Sequence, residues 1–122
     1  MAHLTVDSGE LVVRLSTLEK VGALQGDVRV DLSRVKRAWV TTTPWSELRG
    51  FRAPGTGIPW VIMLGTTRGS FGKDFCAVYG RSPALVVELE GASFSRLLIT
   101  TAEPEALARR LMSNVADARD GQ

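Results

Sequence analysis

Between residues 84 and 115 the spacing of apolar positions changes period. Residues 84–90 are a run of Ala, Leu and Val with Glu88 and Glu90 near its end. Gly91 and Ala92 interrupt it, and residues 94–101 form a second apolar run. Beyond that, Leu107, Ala108, Leu111, Met112 and Val115 recur at the spacing of one helix face, with Glu105, Arg109, Arg110 and Ser113 falling elsewhere. Pro104 suits the first helical position, where a missing N–H leaves no partner unsatisfied. Glu103 is then the expected N-cap, because a residue before proline avoids the α region. The pattern predicts strand, turn, strand and a helix from Pro104 to about Asn114. Its stripe of Leu and Met is assigned to the core.

Upstream the period is two. Residues 4–6 and 11–15 read as strands around the turn Asp7-Ser8-Gly9-Glu10. Ser16 and Glu19 have capping-box spacing and predict a short helical turn through Val21, broken by Gly22 to Gly26. Residues 28–32 alternate strictly and predict a strand, with a break at Ser33. Residues 35–41 predict another; strict alternation would put Val35, Arg37, Trp39 and Thr41 on one face, so neither face is cleanly apolar. Residues 60–66, 73–79, 84–90 and 94–101 complete the strands.

The pattern fails between Pro44 and Pro59. Three prolines, three glycines and no sustained period predict a long loop with a tight turn at Pro54-Gly55. Trp45, Leu48, Phe51 and Ile58 would pack it down as a flap. Trp45 and Trp60 would anchor its two ends. The sum is an α+β chain, mainly antiparallel β, forming a curled sheet or partly open barrel with one C-terminal helix over its open end. One domain over residues 1–116 is expected, followed by a polar, fraying tail at 117–122.

Composition narrows the function classes. At 44% apolar and 23% charged residues the chain is expected to fold as a globular protein. The longest apolar run, residues 58–64, is broken by Pro59 and falls short of the roughly 20 residues a membrane helix needs. No basic, then apolar, leader is visible at the start, so a cytoplasmic location is expected. Charge is uneven: residues 34–81 hold eight basic against two acidic groups, whereas both flanking thirds are net negative. That middle third is the one candidate for an anion-facing surface, unless its cations are scattered over several elements.

Candidate chemistry is sparse. One histidine, His3, and one cysteine, Cys76, make no zinc set, and His3 would have to serve any triad from the chain start. Cys76 lies in an apolar run and is expected to be buried. Gly55-x-Gly57 is followed by Trp60 rather than a third glycine, and Gly72-Lys73 lacks the upstream glycine of a phosphate loop. Glu88 and Glu90 would lie about 7 Å apart on a strand face; paired carboxylates can do acid–base work, but on an exposed strand face these two are assigned to solvated charge. Arg34, Lys36 and Arg37 cluster without interleaved aromatics, so nucleic acid is not an expected partner. Arg49 and Arg52, with backbone N–H groups at Gly55, Thr56 and Gly57 and the indole of Trp45, could hold a carboxylate, a phosphate or a partner protein. Alternatively, an arginine there hydrogen-bonds loop carbonyls and keeps the loop folded.

Several segments resemble the pleckstrin-homology-like (PH-like) fold. They are Pro44-Trp45, residues 49–56 (Arg-Gly-Phe-Arg-Ala-Pro-Gly-Thr), residues 84–91 and residues 103–107. More narrowly, the chain is similar to small stand-alone bacterial PH-like proteins of actinobacterial type over residues 3–113. The resemblance implies about seven antiparallel strands in two orthogonal sheets, closed by the C-terminal helix. Eukaryotic members bind inositol phosphates through a basic first hairpin loop; here that turn is short and acidic, which argues against the same use. Bacterial relatives are linked to homo-oligomers and protein contacts. The expectation is a non-enzymatic, cofactor-free and metal-free module for protein contacts or self-association. The alternative is a binder of anions or phosphorylated headgroups through residues 44–60, with peripheral membrane contact; an enzyme is a remote third.

Overall fold

The computed structural model describes residues 2–23, 26–58 and 61–120, without the side chains of residues 21–23, 51–56 and 118–120. Pro59 and Trp60, expected at the far end of the loop, lie outside the described residues.

The N-terminal hairpin pairs β1 (His3–Asp7) with β2 (Glu10–Arg14). Ser8 and Gly9 join them with φ of 50° and 81°. Two successive positive φ values match the right-handed twist of the strands, and Gly9 adopts its value without strain whereas Ser8 does not. After β2, α1 (Thr17–Ala23) starts on the expected capping box. The Ser16 N–H donates to the Glu19 carboxylate at 2.9 Å, and the Glu19 N–H donates to the Ser16 hydroxyl at 3.2 Å. The Tyr79 hydroxyl donates to the same carboxylate. β3 (Val28–Asp31) then adds to β2, giving a three-stranded sheet in the order β1-β2-β3.

A 3-10 turn (Leu32–Arg34) leads into β4 (Val35–Thr41). The register of β4 slips between Val35 and Arg37, a bulge at Lys36. It rephases the strand: Val35, Ala38 and Val40 face the main core, while Trp39 packs on the opposite side. Strict alternation had mixed these residues because it made no allowance for the extra one. A second 3-10 turn (Pro44–Glu47) follows.

The expected long loop is half strand. β5 (Phe51–Ile58) pairs with β6 (Ile62–Gly69), and the register skips from Arg52 to Gly55. Pro54 sits in that bulge on an outer strand, where its missing N–H is tolerated; the tight turn expected at Pro54-Gly55 is not formed. β7 (Gly72–Tyr79) completes a meander, then β8 (Ala84–Leu89) and β9 (Arg96–Ile99) follow. The sheet order is β4-β8-β9-β7-β6-β5. β9 returns between β8 and β7 and runs parallel to β7, so the sheet is mixed rather than wholly antiparallel. Among the described residues there are nine strands in two sheets, more than the seven expected, and the sheets do not close into a barrel.

α2 (Pro104–Asp120) begins at Pro104 as expected and runs beyond Asn114. Glu103 is its N-cap, accepting from the Leu107 N–H, but it does so with φ of 52°. The helix lies on β4 and β8. Ala108, Leu111 and Val115 join one core with Leu11, Val13, Val30, Leu85, Leu97 and Phe75, so a single apolar cluster unites both sheets and the helix. Met112, expected in the stripe, sits at its margin, where its sulfur accepts from the Ala38 N–H at 3.3 Å.

Two outcomes test these local arguments. Ser8→Asn should raise the urea midpoint by the equivalent of about 0.5–1 kcal/mol, since asparagine tolerates the left-handed conformation better. Burial opposes the charge on Glu19, but the Ser16 N–H and the Tyr79 hydroxyl outweigh it and hold the carboxyl below its usual 4.5. Its contribution is therefore present above that value and is lost as pH falls through the lower folded value. Urea titrations from about pH 6 to about pH 3 should show a smaller loss of stability in Glu19→Gln than in the wild type.

Candidate contact surface

β7, β8 and β9 are apolar on both faces. Opposite the main core, Met63, Cys76, Val78, Ala84, Val86 and Leu98 form a second buried cluster. The strap formed by residues 42–49 covers it. Trp45 and Leu48 of the strap, with Trp39, pack on the cluster, and the Trp45 indole N–H donates to the Gly80 carbonyl at 2.6 Å. Trp45 thus anchors the strap to the sheet. Gly50 ends the strap with φ of 79°, and a Cβ there would stand 2.3 Å from the Arg68 carbonyl oxygen. Only glycine allows the chain so close, and this approach brings Arg49 over the Phe71 ring at 3.9 Å.

A row of charge crosses the same face. Register aligns Arg37 with Glu88, Glu88 with Arg96, and Arg96 with Asp74. Thr67 follows Asp74 in register on β6. Asp74 is its centre, with a side chain only 2% exposed. The strap's Arg49 clamps it bidentately, Nε to Oδ2 at 2.6 Å and one terminal nitrogen to Oδ1 at 3.0 Å. Arg96 Nε stands 3.5 Å from Oδ2 on the other side. Arg96 also donates to the Glu47 carbonyl and lies 3.9 Å from the Glu47 carboxylate. Buried carboxylates are tolerated only when paired and hydrogen-bonded, and this one is held by two guanidiniums. The hydrogen bond to Asp74 pushes Arg49 further above its ordinary value, against burial. Burial, then the Asp74 charge, pushes the Cys76 thiol up to about 12, so the thiol is protonated and shielded beneath the strap.

The residues singled out from sequence fall into two groups. Trp45 and Arg49 turn inward from the strap and hold it down. Gly55, Thr56 and Gly57 lie on β5 with Arg52, where Gly57 is exposed and the side chains of Arg52 and Thr56 are outside the described residues. The Arg49 side chain is committed to Asp74, and a pairing of Arg49 with Arg52 around one anion falls outside the described side chains. Arg49 is already neutralised by Asp74, and the strap carbonyl is held by an arginine from β9, Arg96. Asp74, Arg96 and Glu47 escaped sequence reasoning. The available signal was a lone acid opening the apolar run Phe75-Cys76-Ala77-Val78, and a lone arginine before Leu97-Leu98-Ile99. Glu88 and Glu90 are surface charge, as expected, and Glu88 adds an exposed pair with Arg37 at 2.6 Å, whose guanidinium stacks on Trp39 at 4.4 Å.

Beside the strap, Thr42, Thr43, Trp45, Ser46 and Arg81 line a shallow cleft of about 420 Å³. Among the described residues no three His, Cys, Asp or Glu side chains gather as a metal site, and no helix is long and apolar enough to cross a membrane. Comparison with family models, with curated proteins and with solved structures returns no match.

The network predicts unequal costs. Asp74→Asn should destabilise the protein by about 1–3 kcal/mol in urea unfolding: it removes the carboxylate that both guanidiniums face, but Arg49 is part-exposed and Arg96 keeps Glu47. Arg37→Ala, which breaks a pair whose arginine side chain is 61% exposed, should cost less than about 1 kcal/mol.

Proposed function

We propose that the protein is a non-enzymatic, PH-like binding and assembly module that associates with a second copy of itself through the outer edge of β5. The observation that carries this reading is where the exposed apolar residues lie. Four large hydrophobic side chains are exposed among the described residues: Leu18, Ile58, Val61 and Met112. Ile58 and Val61, 53% and 57% exposed, sit at the β5–β6 turn, and Leu18, 84% exposed, is on α1, which lies against β5 and β6. Three of the four therefore flank the strand at the end of the six-stranded sheet.

An outer strand presents unpaired backbone groups, and chains that stay monomeric blunt such edges with charge, proline or bulges. β5 has proline and a bulge only in its first half. From Gly55 to Ile58 it is regular and carries no charge. Two such edges meeting antiparallel across a two-fold axis would join two six-stranded sheets into one, with the apolar tips packed at its ends. The two-sheet, C-terminal-helix layout and the residues of the strap support the PH-like reading. The anion-binding alternative loses support, because Arg49 is engaged by Asp74.

Light scattering across a concentration series should show a monomer–dimer transition. Replacing Ile58 and Val61 together with lysine should shift it to the monomer with the urea midpoint unchanged. A wild type that stays monomeric at every concentration would sink the reading.

A further inference from the structure

Another strand edge lies on the other sheet. β3 pairs only with β2 among the described residues. Its outward-facing groups can be assigned. The Leu32 N–H reaches the Gly9 carbonyl at 2.9 Å, so residues 32, 30 and 28 carry the ladder to β2, and alternation turns the N–H and C=O of Arg29 away from it. Directly beside that edge is a cleft of about 280 Å³, lined by Val28, Arg29 and Val30 on one side and Lys73, Ala92 and Phe94 on the other.

The charges around this gap are positive. The Lys73 ammonium stands 4.8 Å above the Phe94 ring. Arg29 is loosely paired with Glu10, at 3.7 Å on the solvent side. Asp27, the one acid of the lining, is already bound: its carboxylate accepts from the Leu15 N–H at 2.8 Å and lies 3.7 Å from Lys20. We propose that this gap receives an acidic, extended peptide segment of a partner protein, which adds to β3 as a fourth strand. Its backbone pairs with the outward N–H and C=O of Arg29, and its carboxylates meet the Arg29 and Lys73 cations. The strand ladder supplies main-chain affinity, and the two cations select for acid. This surface is separate from β5, so peptide binding neither requires nor reports self-association.

The test uses the full chain at low salt and a fluorescent eight-residue peptide of alternating Glu and Val. A second peptide of the same composition carries two N-methylated central residues, which cannot complete a ladder. The first should bind at least tenfold more tightly than the second. Arg29→Ala with Lys73→Ala should weaken it at least tenfold with the urea midpoint unchanged. On binding, amide exchange at Arg29 should slow while exchange along β5 does not. Equal binding of the two peptides would reduce the effect to charge attraction and overturn the proposal. Absence of binding, or protection of β5 instead of Arg29, would overturn it as well. The light-scattering series on the same samples judges self-association independently.

Discussion

A sheet whose central strands are apolar on both faces has to be covered twice. Phe75 and Ala77 of β7 look one way, Cys76 and Val78 the other, and all four are buried. β8 and β9 repeat this with Leu85 and Val87 against Val86, and with Leu97 and Ile99 against Leu98. One face is met by the three-stranded sheet and α2, both of which bring regular apolar faces of their own. The other face is met by residues 42–49, a strap too short to bring a core. Trp45 and Leu48 supply its apolar cover, and the clamp of Arg49 and Arg96 on Asp74 holds it in register. A strap has little hydrophobic area to fix its position, so a directional, charge-assisted attachment does the positioning.

The charge row changes the meaning of the positive middle third. Arg37 and Arg49 were two of its eight cations. Both are committed within the fold, one to Glu88 and the other to Asp74. Two further features of that third, Trp45 and Gly50, also serve attachment, through the Gly80 carbonyl and the close passage over Arg68. A segment rich in arginine, aromatic and glycine residues can thus look like a binding loop while performing the task of a clasp. Arginine suits the clasp because its planar fork matches both carboxylate oxygens at once and stacks on a ring, as Arg49 does on Phe71.

What could be read from the sequence follows from how local each determinant is. The capping box at Ser16 and Glu19, the Ser8-Gly9 hairpin and the Pro104 helix start depend on residues within four positions of one another, and each was legible. β5 was not, because Pro54 and its neighbouring glycines erase the alternation, and only pairing with β6 reveals the strand. The Lys36 bulge shifted the faces of β4 for a similar reason: an extra residue is invisible until a partner strand counts it. The return of β9 beside β7 depends on residues about 20 apart, and no turn signal encodes it. For the candidate surfaces, Trp45 was visible as an anchor. Asp74 was not, since its role exists only once Arg49 and Arg96 arrive from elsewhere in the chain.

The same covering problem leaves the edges open. Cover is directed mainly at faces: α2 reaches one outer strand, β4, through the Met112 sulfur on the Ala38 N–H, and among the described residues no such bond reaches β5 or β3. β5 ends one sheet and β3 ends a row of three, so each presents backbone groups that the described residues do not pair. The two edges differ in what surrounds them. β5 ends in uncharged residues with Ile58 and Val61 beside it, which favours a partner offering the same apolar surface, as a second copy does. β3 borders a gap with Lys73 and Arg29 at its rim, which repels another copy of this net-positive chain and favours an acidic strand. A fold that closed fully into a barrel would have removed both edges. One that stops short keeps outer strands, and two of them, β5 and β3, differ in the charge around them.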